Sequence, residues 1–209
     1  MADGYLRQSA LSPLGLRARA DADAAKSNAG IWVFESGDRG QITLRGDGAS
    51  AAFQDAVKRA TGVAPPTAPN TVAGAERLED GLRAIWLGPD EWLVVTRAGR
   101  ARETMAALRQ ALQGQHAAVT DTSRGRTVIA VAGPQARETL LKGCSLDLHP
   151  RVFKAGACAQ TTLARASVIL HCTGPSYDIY VHRSFAEYLW TWIEDAGAEY
   201  GVKVTDGQR

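Results

Sequence analysis

The chain has 209 residues and sets 24 Lys+Arg against 22 Asp+Glu, a formal net charge of +2. That length allows one large domain or two small ones, and so even a charge balance argues against a nucleic-acid arm or a polybasic membrane anchor. Charged residues at 22% and hydrophobic residues at 45% describe a globular chain; its basic residues are 19 Arg and 5 Lys, an excess that suits paired contacts at interfaces, although an Ala- and Gly-rich chain invites the plainer reading of codon bias.

Residues 1–28 read as an irregular arm, because Pro13 interrupts any helix and residues 18–26 carry no apolar stripe. Such an arm is either frayed or laid across a partner, and the second is favoured because Leu6, Leu11, Leu14 and Leu16 need cover. Residues 31–34 form a strand-like run, and residues 40–45 alternate as a half-buried strand does. Residues 50–60 place Phe53, Ala56, Val57 and Ala60 on one helical face, ended by Gly62. The proline-rich stretch 64–70 is a surface loop. Strands at 82–87 and 91–96 flank the turn Gly88-Pro89-Asp90, a helix at 100–112 turns Met105, Leu108, Ala111 and Leu112 inward, and a short strand follows at 117–121.

The order then returns: a strand at 126–131, a short helix opened by Gly133-Pro134, a long strand at 159–171 and its hairpin partner at 177–182. Ser184 is placed to cap a helix over 185–200, with Glu187 completing a capping box, and 202–205 is a final strand. The recurrence is measurable. Arg39-Gly40 returns as Arg124-Gly125 after 85 residues, Gly88-Pro89 as Gly174-Pro175 after 86, and Val119-Thr120-Asp121 as Val204-Thr205-Asp206 after 85. Each unit reads βαββαβ, the ferredoxin-like order, so the expected fold is α+β: a tandem duplication, with an arm at 1–28, a first half at 29–122 and a second at 123–209 forming one combined domain.

The residues that could carry chemistry are sparse. Cys144, Cys158 and Cys172 stand fourteen apart with no C-x-x-C, and His116, His149, His171 and His182 are scattered, so no metal set is written. The odd cysteine count argues against a secreted disulfide framework; the charged start at 1–7 shows no secretory signal, no apolar run approaches the ~20 residues of a membrane helix, and a cytoplasmic location is expected. Cys144 with His149 five residues on could form a thiol dyad, but a small buried cysteine is the simpler reading. Asp90, Glu91 and Asp121 read as caps or solvated carboxylates, and Gly46-Asp47-Gly48 as a tight turn before a helix, with an anion site there as the other reading. Neither a dinucleotide nor a Walker fingerprint is present. On the last helix Phe185, Leu189, Trp192 and Ile193 share a face and Tyr188 lies beside them. Trp190 points away, a large aromatic needing cover from something else.

The run Thr120-Asp121-Thr122-Ser123-Arg124-Gly125-Arg126 and the stretches 142–153, 158–166, 177–192 and 86–92 resemble the gamma subunit of heterotetrameric sarcosine oxidase, over about residues 30–201. The resemblance implies the folate-binding-domain fold of the glycine-cleavage aminomethyltransferase family, itself a duplicated ferredoxin-like plan. It also implies an assembly that oxidatively demethylates sarcosine to glycine and hydrogen peroxide, with methylenetetrahydrofolate formed when tetrahydrofolate is present. FAD, FMN, NAD and zinc then belong to the alpha, beta and delta subunits, and no catalytic, cofactor-binding or metal residue is carried over to this chain. Lys142-Gly143-Cys144 is similar to a triplet of the tRNA-modifying folate proteins, but Ser145-Leu146-Asp147-Leu148-His149 replaces their Tyr-x-Gly-Gln-Glu.

The leading expectation is thus a non-catalytic structural subunit that meets its partners, which include neither nucleic acid nor membrane, through Trp190, Tyr188, Arg124, Arg126, Asp147, His149, Arg151, Leu11 and Leu14. The alternatives are a stand-alone folate-binding module, with Arg124, Arg126 or Tyr177 near a pocket between the repeats, and a thiol enzyme using Cys144.

Overall fold

In the computed structural model, which describes residues 8–75 and 81–206, the elements follow in order α1 (Leu16–Asp23), β1 (Ile31–Glu35), β2 (Gly40–Arg45), α2 (Ala51–Thr61), β3 (Val72–Gly74), β4 (Arg83–Gly88), β5 (Glu91–Thr96), α3 (Ala101–Ala111) and β6 (Ala118–Asp121). The second unit comprises β7 (Arg126–Ala132), α4 (Ala136–Leu141), β8 (Cys158–Leu163), β9 (Ala166–Cys172), β10 (Ser176–His182), α5 (Ala186–Gly197) and β11 (Val202–Val204). β5 opens at Glu91 and β10 at Ser176, and α3 opens at Ala101 and α5 at Ala186, so both pairs keep the 85-residue offset.

Two sheets carry the fold, an antiparallel one ordered β3-β4-β5-β2-β6 and a mixed one ordered β11-β1-β7-β10-β9-β8, in which only β1 and β11 run parallel. Within the first, β4-β5-β2-β6 is the strand order of a ferredoxin-like unit; in the second the same order, β9-β10-β7-β11, is interrupted by β1. The period-2 alternation of each strand explains the layering. Trp92 and Val94 of β5 pack with Phe53, Val57, Met105 and Leu108 under α2 and α3, while Leu93 and Val95 turn the other way. Ile129 and Val131 pack with Leu140, Leu189 and Ile193 under α4 and α5, while Val128 faces Leu93 and Val95 together with Ile169 and Tyr180. The result is four layers, helices–sheet–sheet–helices, whose middle interface joins the two repeats.

Local chemistry sets several ends. The Ser50 side chain accepts from Phe53 N at 3.4 Å to cap α2, and Gly62 closes it in the left-handed region at φ 77°. Gly143 has no room for a Cβ because the Trp192 ring lies against it.

The structure departs from the sequence expectations at several points in the fold. The arm has a seat within the chain itself: Leu11 is wholly buried in the chain's own core, with Leu14, Leu16 and Ala20 packed against it; Leu6 lies outside the described residues. β1 leaves the first half, pairing antiparallel with β7 and parallel with β11, because Ile31 and Val33 are needed to complete the second core. The expected long strand at 159–171 is the hairpin β8–β9, turned at Ala164, which takes the left-handed conformation at φ 53°. The last helix enters through a 3-10 turn at Arg183–Phe185 with no side-chain cap, so the Ser184–Glu187 capping box does not form.

Candidate functional site

The face of the second sheet that meets the first is read off by register as three rows. Val128, Tyr180, Ile169 and Gln160 line up across β7, β10, β9 and β8; Ala130, Asp178, His171 and Cys158 form the row on one side. Arg126 and His182 pair on the other side, with Ser167 and Thr162 continuing that row. The middle row packs against Ile85, Leu93 and Val95, so the space between the repeats is filled by side chains.

The row through Asp178 is polar and buried. Arg83 of β4 donates from Nη1 to Asp178 Oδ2 at 2.9 Å and from Nε to Ala75 O at 2.9 Å, joining the two sheets. Burial pushes the Asp178 carboxyl above its ordinary range, with the Arg83 guanidinium pulling the other way. Burial, helped by the charge of Arg83, pushes the His171 imidazole down to about 3, so it is neutral, and its Nδ1 stands 3.9 Å from Asp178 Oδ2 without a hydrogen bond. Tyr180 is raised, mainly by burial. This cluster is a structural tie: Asp178 and His171 are both under a tenth exposed. Sequence reasoning missed it.

The thiols are equally enclosed. All three cysteines are free and buried. Cys144 sits in the core beneath α4 and α5, while the exposed His149 spends its Nδ1 accepting from Arg151 N at 3.2 Å. No hydrogen bond joins the two among the described residues. Cys158 donates to Thr71 O, and burial pushes its thiol up to about 12. Neither has the exposed, electropositive surroundings a reactive thiolate needs. The carboxylates flagged in the sequence serve turns. Asp47 Oδ1 accepts from Ala49 N, Asp90 pairs with Arg45 at 2.8 Å, and Asp121 is held below its ordinary range by hydrogen bonds from Ser123.

The expected contact residues scatter. Trp190, like Leu11, is wholly buried in this chain, so neither presents surface. The 3-10 entrance shifts the helical phase, and the inward face of α5 is Ala186, Leu189, Trp190, Ile193, Ala196 and Gly197. Phe185, expected inside, is 44% exposed beside Tyr188 at 42%. Asp147, His149 and Arg151 are exposed on the 142–154 loop, where Asp147 Oδ1 accepts from His149 N; exposed Val152 and, on β1, Trp32 were not foreseen. Leu14 is half-buried. Tyr177 stacks on Phe153 with centroids 6.5 Å apart, away from Arg124 and Arg126.

Arg124 and Arg126 do meet, in a cleft of about 190 Å³ at the seam where the arm, the β1–β2 turn and the β6–β7 turn converge. Arg39, Arg183, Glu35, Asp38 and Gln41 also line it. It is smaller than the roughly 300–1,000 Å³ of drug-sized ligand sites, so it does not fit a folate or a dinucleotide. Among the described residues no three His, Cys, Asp or Glu side chains gather as metal ligands, and no helix is long and apolar enough to cross a membrane.

Comparison with known proteins fits this geometry. The model of the "Sarcosine oxidase, gamma subunit family" matches residues 45–199. The sarcosine oxidase subunit gamma of Corynebacterium sp. (strain P-1) is 36% identical over 87% of both chains, and that of an Arthrobacter species is likewise 36% identical over 87% of both. The Saccharopolyspora erythraea aminomethyltransferase is 30% identical over 87% of this chain, which spans about half (52%) of that protein. A chain of heterotetrameric sarcosine oxidase from Corynebacterium sp. U-96, solved in complex with pyrrole 2-carboxylate, superposes with a TM-score of 0.82 at 34% identity, covering 93% of this chain and 96% of that one. The glycine cleavage aminomethyltransferase of Bartonella henselae shares the fold at a TM-score of 0.63 and 16% identity, over 92% of this chain and 51% of that one. On this agreement of length, sequence and layered fold, the chain belongs to the sarcosine oxidase gamma subunit family.

Proposed function

We propose that this chain is the non-catalytic gamma subunit of a heterotetrameric sarcosine oxidase. It would support oxidative demethylation of sarcosine to glycine with release of hydrogen peroxide and, when tetrahydrofolate accepts the one-carbon unit, methylenetetrahydrofolate. The observation that carries the reading is the near end-to-end superposition, at 34% identity, on a chain of such an assembly. FAD, FMN, NAD and zinc would reside on the alpha, beta and delta subunits, as the resemblance to the family implies. Three buried, unpaired cysteines suit the reducing cytoplasm.

The surface that would meet those subunits is the exposed entrance of α5 at Phe185, in the 3-10 turn, and Tyr188, together with Asp147, His149, Arg151 and Val152 of the 142–154 loop and Arg124 at the seam. Two aromatics, arginines and an apolar side chain outside the core are the composition that interfaces favour. Co-expression of the full chain, tagged, with the other three subunits tests the proposal. Capture should recover flavin-bearing subunits and sarcosine-dependent peroxide formation, and Cys144→Ala should leave that turnover unchanged. A chain that stays a monodisperse monomer and captures none of them overturns the reading.

A further inference from the structure

We infer that the seam cleft binds a small organic acid: a carboxylate that also carries an O–H or N–H donor. Its walls hold four guanidinium groups, Arg39, Arg124, Arg126 and Arg183, against two carboxylates, Glu35 and Asp38, so the cleft is net positive. Several of these are engaged within the chain. Glu35 accepts from Ser9 Oγ and from Thr127 Oγ1, Arg183 donates to Gln8 O at 3.2 Å, and Arg39 donates to Ser36 O at 2.6 Å. Arg126 differs. Its side chain is half-buried and makes no hydrogen bond among the described residues, and the charge acting on it is that of Glu91, which lies outside this cleft. A planar fork with open donors in a partly desolvated recess is the group best matched to a carboxylate.

The second observation is Gln41, which lines the same cleft and is 1% exposed. Its backbone N is bonded to Ser123 Oγ at 2.9 Å, its carbonyl accepts from Thr122 N at 2.8 Å, and its Nε2 donates to Arg126 O at 3.0 Å. That last bond fixes which way the amide points, and Oε1 is left buried with no donor. An orphaned buried acceptor is costly, and native structures rarely carry one without a partner. The cleft therefore asks for an anion at Arg126, and a donor on the same molecule would reach Gln41 Oε1 as that amide, now sealed from solvent, gives way at the cleft wall. The volume excludes a large molecule.

The test is an NMR titration of the full chain with acetate, glycolate and glycine, following the Arg126 Nε–H and the Gln41 side-chain amide. All three acids should move Arg126. Only glycolate and glycine should move the Gln41 amide, and glycolate should bind up to about tenfold tighter than acetate, the worth of one neutral hydrogen bond, and tighter than glycine, whose ammonium meets a net positive cleft. Arg126→Gln should abolish binding, and Arg126→Lys, which keeps the charge without the fork, should weaken it. Gln41→Met should erase the preference over acetate while acetate still binds. The inference is overturned if no acid shifts either signal, if acetate matches glycolate, or if binding survives Arg126→Gln. Should Arg126→Gln misfold by circular dichroism, Arg126→Lys decides: unchanged affinity there also overturns it.

Discussion

Replacing Arg83 by methionine should destabilise the chain in a way that acid reverses. The guanidinium sits 2.9 Å from Asp178 between two sheets, with both side chains close to fully enclosed. Without it the carboxylate is stranded where burial already raises its affinity for a proton. It can escape by protonating. From an ordinary value of 3.8, doing so at about pH 7 costs about 1.36 kcal/mol per pH unit, so about 4 kcal/mol is the ceiling on this part of the loss. If the proton settles on neighbouring His171 instead, the folded variant still holds one proton more than the folded wild type. By linkage, the difference in stability between the two must therefore shrink as pH falls, by about 3 kcal/mol between about pH 7 and about pH 5. Asp178→Ala removes the countercharge of Arg83, and a guanidinium cannot shed its charge. That variant should lose about 3–5 kcal/mol with no recovery on acidification over the same range. Urea unfolding followed by tryptophan fluorescence at several pH values gives both curves. Parallel pH dependence of the two variants, or an Arg83→Met deficit that stays flat, would refute the reasoning.

Leu11→Ala should cost about 2–5 kcal/mol in the same assay, as for any fully enclosed leucine; a near-neutral result would mean the arm is not seated in the core. Trp190→Ala should cost about 3–5 kcal/mol, whereas Tyr188→Ala should change stability by less than about 0.5 kcal/mol yet weaken capture of partner subunits. Thiol titration with a disulfide reagent near neutral pH should leave Cys158 silent until denaturant is added; a fast native reaction at Cys158 contradicts its raised pKa. His171 is neutral when folded, with a pKa of about 3 against 6.5 unfolded, so the unfolded chain binds the extra proton. Its contribution is present above about pH 6.5 and is lost as pH falls toward about 3, at about 1.4 kcal/mol per unit, and His171→Asn should flatten that slope.

Most of the secondary structure was legible because strands and helices here bury one face each and so keep a clean period. The repeat was legible because glycine-proline turns and the Val-Thr-Asp strand ends recur at one offset. The β8–β9 hairpin was not, since its turn at Ala164-Arg165 contains no glycine, proline or asparagine, and an alanine at positive φ leaves no local signal. Helical spacing counted from Phe185 puts Trp190 on the wrong side of α5, because Phe185 belongs to the 3-10 turn before the helix. The Arg83–Asp178 tie spans 95 residues, beyond any spacing rule. One hint was available: Asp178 interrupts the apolar strand around Ile179, Tyr180 and Val181, and an acidic residue in a strand of that kind needs a buried cation.

The placement of β1 has a consequence for how the chain is made. The first repeat is contiguous, closing β2 to β6 within residues 40–121, and can form as soon as it is synthesised. The second cannot, because its sheet waits on a strand made much earlier, and Ile31 pairs with Val202 across nearly the whole sequence. Closing that loop is slow, and until β1 docks on β7 the open flank of β7 is a bare edge able to take up any extended segment. A chain cut after the arm and β1 would keep that vacancy permanently, whereas a circular permutant beginning at β7 and ending at β6, with the old termini joined, would turn the longest-range pairing in the molecule into a local one. Refolding rates of such a permutant would report how much of the barrier that one strand imposes.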